Sequence, residues 1–381
     1  MTRDTARALP RHKPLSSILV KPAGPDCNLD CAYCFYAEKS SLFSGETTRR
    51  MSHELLEILI KQALAQSSGA INFGWQGGEP TLMGLAFFQK AVELEERFQR
   101  GQDVGNGLQT NGLLLNKDWA RFLCRNNFLV GLSLDGPAHV HDHYRLRRGG
   151  QGSWSEVCDR AKLLLDCGVM VNALTVISDH SVRYPEEIYE FHKNMGLSHM
   201  QFIPCLETSS RPKKFAPSAE ALGGFWRRLF DLWLADFQDG LATTSVRFFD
   251  SVFFRYVGLA PPECTLQKNC GTYLVVEHNG NVYSCDFFVE PAWGLGNLKN
   301  DLLIDMLNSK QQAAFGKIKS DLAVECKKCK WLKYCQGGCP AERPAQGKKN
   351  RYCRSYRLFF EHAHPKLQTL ARDWLAKHAP R

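Results

Sequence analysis

Three observations predict an α/β fold built on a parallel sheet, followed by a smaller cysteine-rich region. Strand-like and helix-like segments alternate through the first two thirds of the chain. Glycine-containing polar motifs fall at the ends of the strands. After Glu207 the rhythm changes, and from Cys264 onward cysteines, glycines and short hairpin signals replace it. Strict β/α alternation calls for parallel strands joined by crossover helices, and in barrel-like arrangements the strand ends are where sites are built.

The first strand is expected at residues 17–21. Residues 52–66 carry Leu55, Leu56, Leu59, Ile60 and Leu64 at helical spacing, with Ser52 as N-cap. Further strands are expected at 70–75, 107–110, 129–134, 169–176 and 199–204, and helices at 85–98, 117–126, 155–167 and 185–195. A long amphipathic helix at 222–237 repeats Trp226, Phe230 and Trp233 on one face, which is a core-packing pattern. Asn279-Gly280 marks a hairpin turn. The expected organisation is a disordered N-terminus (1–14), a β/α domain (15–240), a connecting region (241–262), a cysteine-rich domain (263–360) and a C-terminal helix (361–381).

The 381 residues, 44% of them hydrophobic, suffice for one large core and a smaller one. The net charge of +9 reads as scattered, apart from a run from Arg343 to Arg357 that includes Lys348, Lys349, Arg351 and Arg354. Such a run is usually a solvated face; an acidic redox partner is a lesser alternative and nucleic acid a remoter one. Residues 1–11 lack the apolar centre of a signal peptide, and no apolar run has the length of a membrane span. Fifteen cysteines without an export signal point to metal binding in a reducing cytoplasm rather than to disulfides.

Cys27, Cys31 and Cys34 form a C-x3-C-x2-C loop after the first strand, with Tyr33 before and Phe35 after the last cysteine. Three thiolates on one loop can hold three irons of a cubane iron–sulfur cluster and leave the fourth iron open, whereas four thiolates close the site. A structural zinc would need a fourth ligand, and the next candidate, His53, lies in a helical stretch. The loop resembles the signature of radical S-adenosylmethionine (radical SAM) enzymes, in which the open iron chelates the amino and carboxylate groups of SAM. Gly77-Gly78-Glu79-Pro80 follows one β/α unit later, as in that family; its glycines permit close backbone approach, and its carboxylate or carbonyls are expected to accept from the SAM ammonium. Gln109-Thr110-Asn111-Gly112 and Ser133-Leu134-Asp135-Gly136 are further strand-end motifs. Ser133 offers a hydroxyl to the ribose or carboxylate of SAM, and Arg145 a guanidinium to the carboxylate. The resemblance implies a partial (β/α)6 TIM-like barrel.

The later cysteines are Cys264, Cys270, Cys285, Cys326, Cys329, Cys335, Cys339 and Cys353. Eight thiolates match two closed four-thiolate clusters, or two zinc sites. By proximity alone, Cys326 to Cys339 would form one group. The array resembles the SPASM-type domain of radical SAM enzymes that modify peptides. Residues Tyr283-Ser284-Cys285-Asp286-Phe287-Phe288-Val289, followed by Gly294-Leu295-Gly296-Asn297, resemble the anaerobic sulfatase-maturating enzymes, over residues 15 to 360. That resemblance implies three [4Fe-4S] clusters. Beyond the SAM-binding one, Cys264, Cys270, Cys285 and Cys339 would hold one auxiliary cluster, and Cys326, Cys329, Cys335 and Cys353 the other. It implies SAM contacts at Tyr33, Gly78, Ser133, Arg145 and Leu206, a catalytic base at Asp286, and peptide-pocket residues at Tyr36 and Gln76. Of the other cysteines, Cys124, Cys158 and Cys167 read as core residues, and Cys205 lies close to the expected pocket.

The implied reaction removes a hydrogen atom from Cβ of a cysteine or serine in a Cys/Ser-x-Pro/Ala-x-Arg type of sulfatase segment, while Asp286 takes the side-chain proton, giving formylglycine. The implied partners are a sulfatase polypeptide and a reducing donor such as flavodoxin or ferredoxin. Nucleic acid and membrane are not expected, and the protein is expected to be monomeric. The competing readings are a crosslink-forming peptide maturase, a non-catalytic iron–sulfur carrier and a zinc-dependent binding module.

Overall fold

The computed structural model describes residues 12–46, 49–207, 215–238, 240–344 and 347–378. Most of the N-terminal segment expected to be disordered, and the last three residues of the expected C-terminal helix, lie outside these.

Six parallel strands lie side by side in chain order: β1 (Ser17–Lys21), β2 (Ile71–Trp75), β3 (Val104–Thr110), β4 (Leu129–Ser133), β5 (Met170–Ile177) and β6 (His199–Pro204). The connections between them carry α1 (His53–Gln66), α2 (Leu85–Phe98), α3 (Lys117–Arg125), the single turn α4 (Ala138–His141), α5 (Trp154–Asp166) and α6 (Pro185–Asn194). Local chemistry sets the helix starts. Ser52 Oγ accepts from Leu55 N at 3.1 Å, and Asn116 Oδ1 accepts from Asp118 N at 3.0 Å and Trp119 N at 3.1 Å. Caps of this kind contribute about 1 kcal/mol each.

Ile18, Val20, Phe73, Trp75, Val130 and Leu132 face the buried sides of these helices, including Leu56, Leu59, Phe88 and Trp119, in one continuous core. Cys158 is buried in that core and Cys167 packs against it. Cys124 is exposed, contrary to the sequence reading. The buried face of α3 is Trp119, Ala120 and Leu123, and the next residue along is turned roughly 100° away.

Beyond β6, α7 spans Ala219–Ala235, its start fixed by Ser218 Oγ accepting from Ala221 N at 3.1 Å. It therefore begins before the expected residue 222, and Phe237 falls instead in β7 (Phe237–Gln238), paired with β8 (Leu241–Ala242). Next come β9 (Ser245–Val246), which joins the main sheet parallel to β6, and α8 (Arg247–Tyr256).

The cysteine-rich part contributes strands to the same sheet. β10 (Leu274–Glu277) runs parallel to β1, and β11 (Asn281–Tyr283) and β12 (Gly294–Asn297) continue antiparallel from it. The register sets Lys21 beside Glu277. The short helices α9 (Leu303–Leu307), α10 (Lys310–Ser320), α11 (Val324–Lys327) and α12 (Leu332–Cys335) precede α13 (Cys353–His378). This last helix crosses residue 360, where the sequence placed a boundary. Phe359, Phe360, Ala363 and Leu367 share a second core with Trp226, Phe230, Trp233 and Phe249. The aromatic spacing of α7 thus serves packing, at roughly 1.5–3 kcal/mol for each large side chain buried.

Candidate active site

The three-cysteine loop leaves β1 and is pinned on two sides. On one, Gly78 N donates to Gly24 O and Glu79 N to Asp26 O, each at 2.8 Å. A Cβ on Gly78 would lie 2.0 Å from Asp26 O. The close approach that this glycine permits is therefore to the start of the cysteine loop itself. Gly77, at φ 125°, lies over Lys21 in the same way. On the other side, Asp30 N donates to Leu146 O at 2.8 Å and Ala32 N to Tyr144 O at 3.1 Å. Burial pushes the Cys27 thiol up to about 11 and the Cys31 thiol up to about 12, and the charges of the neighbouring cysteines add to this. Buried thiolates crowded together require a cation among them, so this donor set fits an iron–sulfur cluster.

Glu79 is buried and its carboxylate is fully engaged within the chain. Oε1 accepts from Thr81 N at 3.0 Å, Thr81 Oγ1 at 2.6 Å and Thr110 Oγ1 at 2.7 Å, and Oε2 from Asn111 N at 2.8 Å. These bonds tie the end of β2 to the end of β3. Asn111, not singled out from the sequence, is set by this bond and reaches Asn28 Oδ1 at 2.7 Å and Cys27 Sγ at 3.6 Å.

At the end of β4, Asp135 organises the expected SAM contacts. Arg145 Nε and Nη2 bind its two oxygens at 2.8 and 3.1 Å, Tyr33 Oη donates to it at 2.5 Å, and Val176 N at 2.8 Å. Burial alone would raise the Asp135 carboxyl, but the Arg145 guanidinium holds it below its ordinary range. Arg145 is thus oriented by Asp135 while Nη1 has no partner among the described residues. Ser133, at the strand end, keeps a hydroxyl without a partner among the described residues. Leu206, half-buried beyond β6, accepts from Cys205 Sγ at 3.6 Å through its carbonyl.

Asp286 sits where the first and last parts of the chain meet. Lys21, fully buried at the end of β1, forms a close ion pair with Asp286 Oδ1 and lies 3.4 Å above the Tyr36 ring. Asp286 Oδ2 has no partner among the described residues. Tyr36 Oη donates to both oxygens of Glu277 at 2.7 Å, and the Phe35 ring packs at 5.0 Å against Phe287, tilted by 57°. Tyr36 is buried, and its hydroxyl joins this cluster. Gln76, half-exposed beyond β2, keeps its side-chain amide free of hydrogen bonds among the described residues. The sequence singled out neither Lys21 nor Glu277, because their meeting depends on the pairing of β1 with β10.

The remaining eight cysteines fall into two sets. Burial raises Cys339 well above its ordinary value, and Glu342, Cys285 and Cys264 add to this. Cys264 in turn faces Cys270. Tyr273 Oη lies 3.3 Å from Cys285 Sγ, and the buried Lys319 donates to the carbonyls of Cys264 and Thr265 at 2.7 Å. Cys326, Cys329, Cys335 and Cys353 line a cavity of about 70 Å³ that Cys339 does not reach. The parting of Cys339 from Cys335 has a backbone cause. Gln336, Gly337 and Gly338 take φ values of 48°, 78° and 65° and turn the chain away. Among the described residues no His, Cys, Asp and Glu side chains converge to hold a single metal ion. Thiols set around a cavity fit a larger cluster.

The sheet with its three-thiol loop, and the two thiol sets beyond it, define a radical SAM protein with auxiliary iron–sulfur sites. The Radical SAM superfamily pattern matches residues 22–192, and an iron–sulfur cluster-binding (SPASM) domain matches residues 264–330. The chain is 36% identical to a serine-type anaerobic sulfatase-maturating enzyme of Bacteroides thetaiotaomicron, over 97% of this chain and 94% of that one. It is equally similar, at 36%, to a cysteine-type enzyme of Clostridium perfringens, over 94% of this chain and 99% of that one. The solved structure of native anSMEcpe with bound AdoMet and Cp18Cys peptide matches with a TM-score of 0.88 at 35% identity, covering 95% of this chain and all of that one. The chain belongs to the anaerobic sulfatase-maturating enzymes. It is a radical SAM enzyme, and among the described residues no helix is long and apolar enough to cross a membrane.

Proposed function

We propose that this enzyme oxidises a cysteine or serine of a sulfatase segment to formylglycine, with Asp286 as the base. The observation that carries this reading is the placement of Asp286. It directly follows Cys285, and Lys21 binds one of its oxygens while the other remains available. When bound at Cys27, Cys31 and Cys34, the iron–sulfur cluster and SAM supply the 5′-deoxyadenosyl radical that takes a hydrogen atom from the substrate Cβ. The protein residues orient the reactants and handle the proton. Arg145, aligned by Asp135, presents Nη1 to the SAM carboxylate, and Ser133 presents its hydroxyl nearby. Lys21, packed over the Tyr36 ring, fixes the Asp286 carboxylate, and Asp286 Oδ2 accepts the thiol or hydroxyl proton of the substrate. The second electron would leave through an auxiliary cluster, and for a cysteine water would replace sulfur at the oxidised carbon with release of hydrogen sulfide. Gln76 offers its free amide to the peptide. Cys264, Cys270, Cys285 and Cys339 would hold one auxiliary cluster, and Cys326, Cys329, Cys335 and Cys353 the other. A small reducing carrier in the cytoplasm is the donor that suits oxygen-sensitive clusters.

The test is anaerobic incubation of the iron-loaded, reduced enzyme with SAM and a Cys-x-Pro-x-Arg peptide. Formylglycine appears as a mass loss of roughly 18 Da with 5′-deoxyadenosine alongside. A loss of about 2 Da from the cysteine peptide, without an aldehyde, would mark a crosslink instead and would replace this reading.

A further inference from the structure

The net charge of the chain is concentrated in one place. Between Glu325 and Arg357 stand ten lysines and arginines and only two glutamates, so these 33 residues carry eight of the nine net positive charges. The other 348 residues hold 38 basic and 37 acidic side chains and are almost neutral. The basic run noted from Arg343 therefore extends back to Lys327, and the remaining charge is balanced rather than scattered.

Most of these cations are exposed and unpaired. Lys348 pairs with Asp321, Arg351 with Glu207, and Arg343 donates to the carbonyls of Ile318, Lys319 and Asp321. Lys327, Lys328, Lys330, Lys333, Lys349, Arg354 and Arg357 are exposed and meet no carboxylate among the described residues. Of the two glutamates, Glu342 is buried and bound by Asn350. Holding so many like charges together costs self-repulsion, which an anionic partner relieves.

The patch surrounds the second thiol set. Cys353 lines the cavity it shares with Cys326, Cys329 and Cys335. It also lines an open pocket of about 390 Å³ together with Lys349, Arg351, Arg354 and Arg357. One cysteine thus borders both the inner thiol cavity and the basic surface.

We propose that this face docks a small acidic one-electron carrier protein, of the flavodoxin or ferredoxin kind, beside the second thiol set. The proposal rests on the radical SAM reading above, since one-electron chemistry requires exchange with such a carrier. The substrate motif carries an arginine, which this face repels. A nucleic-acid face would present aromatic rings for stacking, but here Trp331 and Tyr334 are buried, with Lys330 and Lys333 each 4.7 Å above them.

The experiment titrates a purified flavodoxin into the iron-loaded enzyme by calorimetry, from low to high salt. The expected result is affinity that falls steadily as salt rises. The variant Lys327→Glu/Lys328→Glu/Arg354→Glu should bind at least about tenfold more weakly at low salt. With dithionite as reductant, the same variant should make formylglycine at the wild-type rate, so loss of docking and failure of the maturase reading are told apart. The neutral variant Lys327→Gln/Lys328→Gln/Arg354→Gln should lose less affinity than the reversed one, and it carries the test should the reversed protein misfold. Absence of binding at low salt, affinity unchanged by the substitutions or affinity indifferent to salt overturns the proposal. Tighter binding of polyuridylate than of flavodoxin also overturns it, because the face would then be a nucleic-acid site.

Discussion

Two carboxylates at the rim of the sheet, the buried Asp135 and the partly buried Asp286, each face a buried cation but are built to different ends. Asp135 is closed. Arg145 takes both of its oxygens, and Tyr33 and Val176 add further donors. Asp286 is half open, with Lys21 on one oxygen and the other left without a partner among the described residues. A fully satisfied pair fixes geometry; a half-satisfied one can still accept a proton. The burial of a charged pair therefore says little about its role until its lone pairs are counted.

The strongest way to break the comparison is to remove the open carboxylate. Asp286→Asn should lower formylglycine formation by roughly 10²–10⁴-fold, the range of a lost general base. Formation of 5′-deoxyadenosine should persist, because the groups proposed to hold SAM lie elsewhere. Parallel assays of both products decide the matter, and equal loss of the two would remove Asp286 from its role. Asp135→Ala should act on the fold instead. It leaves Arg145 buried and uncompensated, at a cost of about 3–5 kcal/mol, read as a drop in Tm together with weakened SAM binding.

The difference between these pairs also shows what was legible in the sequence. The cysteine loop, Gly77-Gly78 and the strand-end motifs are local patterns, legible from their spacing together with the family resemblance. Ser133 and Arg145 were found as strand-end or loop residues, but Asp135 was seen only as part of a turn. Its role emerges when Arg145 folds back onto it. Lys21 could not be found, because its partner arrives from residue 286 through the pairing of β1 with β10. The parting of Cys339 from Cys335 did leave a trace, in the Gln336-Gly337-Gly338 turn, yet proximity in sequence grouped the two. Local periodicity sees turns and faces; it does not see which strand closes against which.

A finer test keeps the base and removes its support. Lys21→Met should retain Asp286 but lose the ion pair that orients it. Formylglycine made per 5′-deoxyadenosine should fall roughly tenfold, because small misplacements of a reacting group are costly. A purely structural role for Lys21 would lower Tm and leave that ratio unchanged.

The smallest expected effect concerns buried carboxylates that face no cation. Glu79 replaces the cation with four internal donors, whereas among the described residues Glu95 on α2 accepts only from Asn106 Nδ2, at 2.8 Å on Oε2, and leaves Oε1 buried without a partner. Burial raises Glu95 from its ordinary value of 4.5 to about 7. The folded state thus holds a proton that the unfolded chain releases at lower pH. Stability contributed at this site is greatest below the ordinary value, declines as pH rises through the window up to 7, and the penalty is fully present above it. Glu95→Gln keeps an acceptor for Asn106 and removes the titration. It should stabilise the protein by about 3 kcal/mol at pH 8 and leave Tm almost unchanged near pH 4. A gain equal at both pH values would mean that packing, not the uncompensated charge, sets the cost of Glu95, and the ranking of paired over unpaired carboxylates would lose its third case.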